Sequence, residues 1–215
     1  PPWRPRGGRR GGGAAFELPI MAHAETFARL GGEVASLARE LLDDGDLLTV
    51  DDGARGFEVL HTPGHASGHL CLLETEGSTL LGGDMAPGLG TTLIDPDEGS
   101  MAVYLQQLRR LAERAPARVL PAHGPALVPG GAALEALIAH REAREEKVIA
   151  ALGPRPQSLE AVARRAYADL PPQFAGLGQR STLAHLEKLR VEGLAEGLGE
   201  QGWRLREGSG GASKL

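Results

Sequence analysis

Residues 57–84 read FEVLHTPGHASGHLCLLETEGSTLLGGD, and the reading of the fold turns on them. Three short apolar runs, 57–61, 70–74 and 79–81, are separated by Pro63-Gly64 and Glu76-Gly77. Runs of this length bounded by turn residues predict three strands joined by tight turns. Upstream, Leu47–Val50 is the expected partner of Phe57–His61, with Asp51-Asp52-Gly53 as the turn between them. Further back, Pro19-Ile20-Met21-Ala22 reads as a short strand. Ala24–Leu30 reads as a short helix closed by Gly31-Gly32, and Ala14–Leu18 as the tail of a helix stopped by Pro19. Downstream, Ser100 is a good N-cap for a helix over Met101–Arg114, and Arg118–Leu120 is one more strand. Strands and helices alternating around glycine-rich strand ends predict a layered α/β domain.

Beyond Pro129-Gly130-Gly131 the pattern changes. A long helix is expected over Ala132–Leu152, with Glu142, Glu145, Glu146 and Lys147 on its polar face. Ser158 caps a second helix, Leu159–Tyr167, and a third runs over Ser181–Glu192. Two short strands, Leu194–Glu196 and Trp203–Arg206, follow. Three helices and a two-stranded wing spell a winged-helix module. The expected division is 1–13 as a disordered Pro/Gly/Arg-rich start, 14–130 as the α/β domain, 131–207 as the long helix plus winged helix, and 208–215 as a flexible tail.

Composition narrows the class. The 215 residues carry a net charge of −5, so there is no broad basic field for nucleic acid. Residues 155–215 hold nine Lys or Arg against seven Asp or Glu. That balance argues against strong duplex DNA binding by the winged helix, which depends on several phosphate contacts. Its expected use is to wall a substrate groove, with a homodimer contact as the alternative. One cysteine, Cys71, excludes an internal disulfide framework and reads as a core thiol. There is no apolar run long enough for a membrane span and no secretory h-region, so a cytoplasmic protein is expected. The terminal SKL reads as a chance match to a targeting signal.

Three residues stand at strand ends: His65 after a Pro-Gly turn, Asp84 after Gly82-Gly83, and His123 in LPAHGP (120–125). An open α/β layer gathers strand-end residues at one edge, and imidazole and carboxylate suit a borderline divalent cation such as zinc. Singly, each is as well explained as a turn residue. His61 is expected to orient the turn and His69 to hydrogen-bond within it, while His140 and His185 read as packed or solvated helix residues.

The motifs HTPGHASGH (61–69), LLGGD (80–84) and LPAHGP resemble, in order and spacing, the third, fourth and fifth ligand motifs of the metallo-β-lactamase superfamily. GGGAAFELPIMAHAETFARL (11–30) resembles the segment after that superfamily's first motif. HREAREEKV (140–148) followed by a winged helix resembles its β-lactamase-like hydrolases, endoribonucleases among them. The resemblance spans Gly11–Arg206. It implies a partial metallo-β-lactamase αββα sandwich followed by a small winged-helix domain. It implies two zinc ions, with His65 on the first, His123 on the second and Asp84 bridging both as the catalytic carboxylate. A metal-bound hydroxide would attack an ester, thioester or phosphodiester, with a small molecule or single-stranded RNA as substrate.

The superfamily's first motif, HxHxDH, has no counterpart: residues 1–11 read PPWRPRGGRRG, without His or Asp. Three ligands shared by two ions fall short of four-coordination. The expectation is therefore poor metal binding and weak or absent catalysis, with an unpaired strand edge and exposed apolar surface. A truncated or misread start accounts for this. So does a relative that has kept a non-catalytic binding or scaffold role through its winged helix, or a partner subunit that completes the site.

Overall fold

The structure is a computed structural model that describes residues 19–30, 39–50, 53–76 and 78–206. Strand β1 (Ile20–Ala22), helix α1 (Ala24–Leu30) and strand β2 (Arg39–Leu41) come first, with β1 and β2 paired in parallel. A five-stranded sheet follows, in spatial order β3 (Leu47–Val50), β4 (Arg55–His61), β5 (Leu70–Glu74), β6 (Thr79–Gly83) and β7 (Arg118–Pro121). Its first four strands are antiparallel neighbours. β7 lies parallel to β6, reached through helix α2 (Met101–Glu113). These are the strands and the helix expected from residues 47–120. The expected helix tail at 14–18, the Gly31-Gly32 stop and most of the two expected turns lie outside the described residues. β2 was not anticipated, because three residues carry no readable period.

One face of the sheet is covered. Leu60, Cys71, Leu73, Leu80 and Val119 pack against Met101, Tyr104, Leu105, Leu108 and Leu111 of α2. The spacing of that helical stripe, 101-104-105-108-111, is the one its sequence period demands. Ser100 caps α2 by accepting a hydrogen bond from Val103 N at 3.4 Å. Leu47, Val50 and Leu120 remain exposed on the strands themselves.

Helix α3 (Gly130–Ala151) serves two cores. Leu134 and Ile138 join the first. Val148 and Ala151 join a second, built from helix α4 (Leu159–Ala166), helix α5 (Ala175–Val191) and the hairpin of β8 (Ala195–Gly197) and β9 (Trp203–Leu205). Two expectations fail here. α5 begins at Ala175 after a short 3-10 turn, Pro172–Phe174, six residues before the expected Ser181. Gly176 and Gly178 are poor helix formers, and packing of Gly178 against Tyr167 and Leu170 overrides that preference. Glu145 does not face solvent. The stripe 134-138-141-145-148 turns it and Arg141 inward.

Among the described residues, no helix is long and apolar enough to cross a membrane.

Candidate metal centre

Asp84 follows directly on β6. Parallel pairing sets Gly83 opposite Pro121, and Ala122 N donates to Gly83 O at 2.9 Å. That register carries His123 to the same strand end. His123 Nε2 lies 3.7 Å from Asp84 Oδ1. Both side chains are open, 82% and 40% exposed respectively. Two ligands each about 2.0–2.2 Å from one tetrahedral ion stand roughly 3.4 Å apart, so the pair has the spacing of shared ligands.

His65 is placed by another device. Gly64 has φ +129°, and a Cβ there would come within 2.5 Å of the Tyr104 backbone. Only glycine lets this turn seat against α2, where Gly64 O accepts from Ser100 N at 2.8 Å. His65 Nδ1 then lies 3.0 Å from Leu93 O. A carbonyl only accepts, so Nδ1 carries the proton and Nε2 keeps its lone pair. A ligating imidazole is held in this way.

The peptide of Asp84 is gripped on both sides. Its N–H donates to His69 Nε2 at 3.1 Å, and its carbonyl accepts from Thr92 Oγ1 at 2.6 Å. The next carbonyl, that of Met85, accepts from the buried Tyr104 hydroxyl at 2.8 Å. Since His69 Nε2 accepts, its Nδ1 donates, and Thr62 Oγ1 lies 2.8 Å away. Burial pushes the His69 imidazole down to about 4, His65 adding to the fall and Asp84 opposing it. The ring is neutral, as this bonding requires. Gly83 makes room for it: its φ is +51°, and a Cβ would meet His69 Nε2 at 2.5 Å. His69 bonds inside its own turn as expected, to Thr62 and through its backbone N–H to Ala66 O at 3.2 Å, and it also reaches across to the next strand. His61 does orient the turn, with Nε2 2.7 Å from Ser67 O, and it stacks on His23 at 3.9 Å.

The loop after Asp84 is clasped from the C-terminal side. Buried Arg141 of α3 donates to Thr92 O, with its guanidinium 5.3 Å from the Tyr104 ring centroid. Arg180 of α5 pairs with Asp95 and, at 2.7 Å, with Asp97. One loop thus supplies Thr92 to Asp84 and Leu93 to His65 while two helices hold it. Leu93, Tyr104 and Arg141 were not anticipated, since each acts through a contact between segments far apart in sequence; Thr62 and Thr92 act within eight residues, through loop geometry that no local pattern records.

The donors suit a divalent cation in kind and fall short in number. Asp84 and His123 are brought together, and His65 presents a free Nε2. Yet among the described residues, no group of three or more His, Cys, Asp or Glu side chains is gathered to hold a metal ion.

His140 is exposed on α3, and His185 is structural. Fully buried His185 has Nδ1 3.1 Å from Glu145, which also accepts from Lys188 Nζ at 2.6 Å. Burial lowers the pKa of His185 against the opposing pull of Glu145. His185 Nε2 has no hydrogen-bond partner among the described residues.

Residues 10–123 match the profile of the metallo-beta-lactamase superfamily, and residues 158–203 match that of the beta-lactamase associated winged helix domain. The chain is 31% identical over 138 residues to Beta-lactamase-like protein 2 homolog of Drosophila melanogaster, covering 63% of this chain and 46% of that protein. It is 29% identical over 111 residues to Atrochrysone carboxyl ACP thioesterase of Emericella nidulans, covering 52% of this chain and 34% of that protein. The chain therefore spans less than half the length of these curated relatives. A metallo-beta-lactamase family protein from Thermus thermophilus superposes with a TM-score of 0.72 at 23% identity, over 88% of this chain and 72% of that one. With more than half of its residues matched by the profile, the chain belongs to the metallo-beta-lactamase superfamily and carries the hydrolase-like fold of that family with its associated winged helix.

Proposed function

We propose that this chain contributes to a metal-dependent hydrolase whose substrate is an ester or thioester with an uncharged, apolar acyl group. The observation that carries the reading is Asp84, fixed through its own peptide by His69 and Thr92 and set 3.7 Å from His123. A carboxylate locked by its backbone rather than its side chain keeps its oxygens available, which suits a ligand or a proton acceptor and serves no packing purpose.

His65, Asp84 and His123 would hold the cation, with zinc the first candidate by donor type. A divalent cation there supplies Lewis acidity toward a carbonyl oxygen. The protein's own part is orientation. Leu93 O fixes the tautomer of His65, and His69 and Thr92 fix the peptide of Asp84. Three donors would serve one four-coordinate ion only if His65 joins Asp84 and His123, since the described residues gather no such group of three; two ions need more donors than these.

An apolar ester is favoured over a phosphodiester by where the cations of the winged helix go. Arg180, Lys188, Arg190 and Arg204 are each paired with carboxylates, which leaves them little charge for a polyanion. The relative named a thioesterase points the same way.

The test is elemental mass spectrometry of the purified chain beside Asp84→Ala, followed by hydrolysis assays on thioesters and on an oligoribonucleotide. Zinc near one per chain that falls in the variant, with thioester turnover, is the expected result. Zinc absent from both proteins would favour a non-catalytic binding protein. Turnover of the oligoribonucleotide alone would overturn the substrate class.

A further inference from the structure

Two cavities lie end to end over the winged helix and share Tyr167, Leu170 and Gly178 in their walls. The outer one, about 390 Å³, is lined by buried Ala163 and exposed Ala175, with exposed Glu160 and Arg164 at its mouth. The inner one, about 140 Å³, is closed by Phe174 and Leu177 on one side and by Thr91 and Leu93 on the other. Leu93 gives its side chain to this cavity and its carbonyl to His65 Nδ1. The inner end of the groove is thus one residue from a candidate ligand. The clasp of Arg180 on Asp95 and Asp97 ties the loop to α5, which supplies Leu177, Gly178 and Ser181 to the opposite wall.

Resting on the reading of an ester or thioester hydrolase, we propose that this groove is the acyl subsite, taking the apolar chain of the substrate so that its carbonyl reaches the edge bearing His65. Three observations select this occupant. Apart from Gln179, Thr91 and Ser181, the lining inward of the mouth is hydrocarbon and aromatic, with no charged side chain. The two charges at the mouth are of opposite sign, so neither a polyanion nor a cation is drawn in. Phe174 and Leu177 line the smaller cavity and stand half exposed, as a site that receives an apolar chain requires. The winged helix thereby acts as a wall that measures the acyl chain.

Gly178 sits where the two cavities meet. A Cβ there would lie 3.3 Å from Leu170 Cδ2 and 3.4 Å from Tyr167 Cβ. One methyl group therefore narrows the passage, while Ala favours the helix relative to Gly, so the variant is expected to fold.

The experiment is titration calorimetry of the full chain with acetyl- and decanoyl-N-acetylcysteamine thioesters and with an oligoribonucleotide, in the parent, Gly178→Ala and Phe174→Ala. Affinity should rise about fourfold per buried methylene until the groove is filled. Phe174→Ala should weaken the decanoyl thioester severalfold and leave the acetyl thioester unchanged. Gly178→Ala should shift the preference to shorter chains. Equal affinity for the two thioesters, or a preference unchanged by both variants, overturns the subsite, as does oligoribonucleotide binding lost in Phe174→Ala. Chain-length-dependent binding without hydrolysis of any thioester leaves the subsite standing and refutes the chemistry instead.

Discussion

Thr92→Val removes one oxygen from the loop that holds Asp84 and little else. The two side chains have nearly the same shape, and Arg141 bonds the Thr92 backbone, which valine retains. What is lost is the 2.6 Å hydrogen bond from Thr92 Oγ1 to Asp84 O. Thr92 is buried, and a carbonyl stripped of its donor costs about 1–3 kcal/mol. Asp84 is partly open to water, which places the expected cost near the lower end, about 1.5 kcal/mol. Cys71 provides the reading. Burial is the main cause of its thiol being pushed up to about 12, so the folded state presents almost no thiolate and labelling proceeds through opening of the sheet. Since about 1.4 kcal/mol is a factor of ten, Thr92→Val should speed labelling of Cys71 roughly tenfold at pH 8. Thr91→Val, at an exposed neighbour, should change it little. A labelling rate equal to the parent's in Thr92→Val would show that the hydroxyl does not secure Asp84, and the account of a backbone-locked carboxylate would fall with it.

Gly83→Ala places a methyl group at φ +51° and 2.5 Å from His69 Nε2; the left-handed conformation alone costs about 1–2 kcal/mol, so the Cys71 labelling rate should rise more than tenfold. Glu145→Gln leaves Lys188 with Glu192 as its one carboxylate partner, and loss of the charged hydrogen bond should cost about 1.5–3 kcal/mol in urea unfolding followed through the helical signal. His185 has a folded-state pKa below its unfolded 6.5, so the unfolded chain binds the extra proton first and stability falls as pH drops below 6.5. The melting temperature should therefore decline from pH 7.5 to 5.5, and decline less in His185→Gln, which keeps a donor for Glu145 and cannot titrate. Leu108→Ala, at a fully buried position of α2, should cost about 2–5 kcal/mol and raise Cys71 labelling by more than the Thr92 variant.

The strands and α2 were legible because period and turn chemistry agree there. Pro63-Gly64 and Ser100 announce the very contacts the fold makes, Gly64 O to Ser100 N among them. Asp84 and His123 were legible as a pair because both follow strand ends, and parallel strands set neighbouring ends level. His65 was legible as a residue aimed out of a turn, although its bond to Leu93 was not. Glu145, read as part of the polar face, could have been placed correctly, and Arg141 with it: the stripe 134-138-141-145-148 is in the sequence, and charge alone argued for Glu145 at the surface. Their partners in α5 and in the 92–97 loop could not, since no local pattern records that an arginine on one helix will meet a backbone carbonyl 49 residues earlier. The start of α5 was hidden by Gly176 and Gly178, whose weak helical preference is overruled by packing on α4.

The same loop explains why a winged helix accompanies this site without the features of a nucleic-acid reader. A reader of phosphates keeps its cations free and clustered. Here Arg180 is paired with Asp95 and Asp97, Arg144 with Asp169, Lys188 with Glu145 and Glu192, and Arg204 with Glu196. Three of the four are directed at structure rather than solvent: Arg180 at the loop that carries Thr92 and Leu93, Arg144 at Ala166 O and the Tyr167 ring, and Lys188 at the seam between α3 and α5. The module's charges go into fixing its own helices against the loop behind the candidate ligands. What they leave facing outward is an apolar groove whose inner end is Leu93. Under the proposed reading, holding the ligand loop and bounding the substrate are one task performed by one surface, so Arg180→Met should disturb His65 and the chain-length preference together, whereas a nucleic-acid role would couple it to neither.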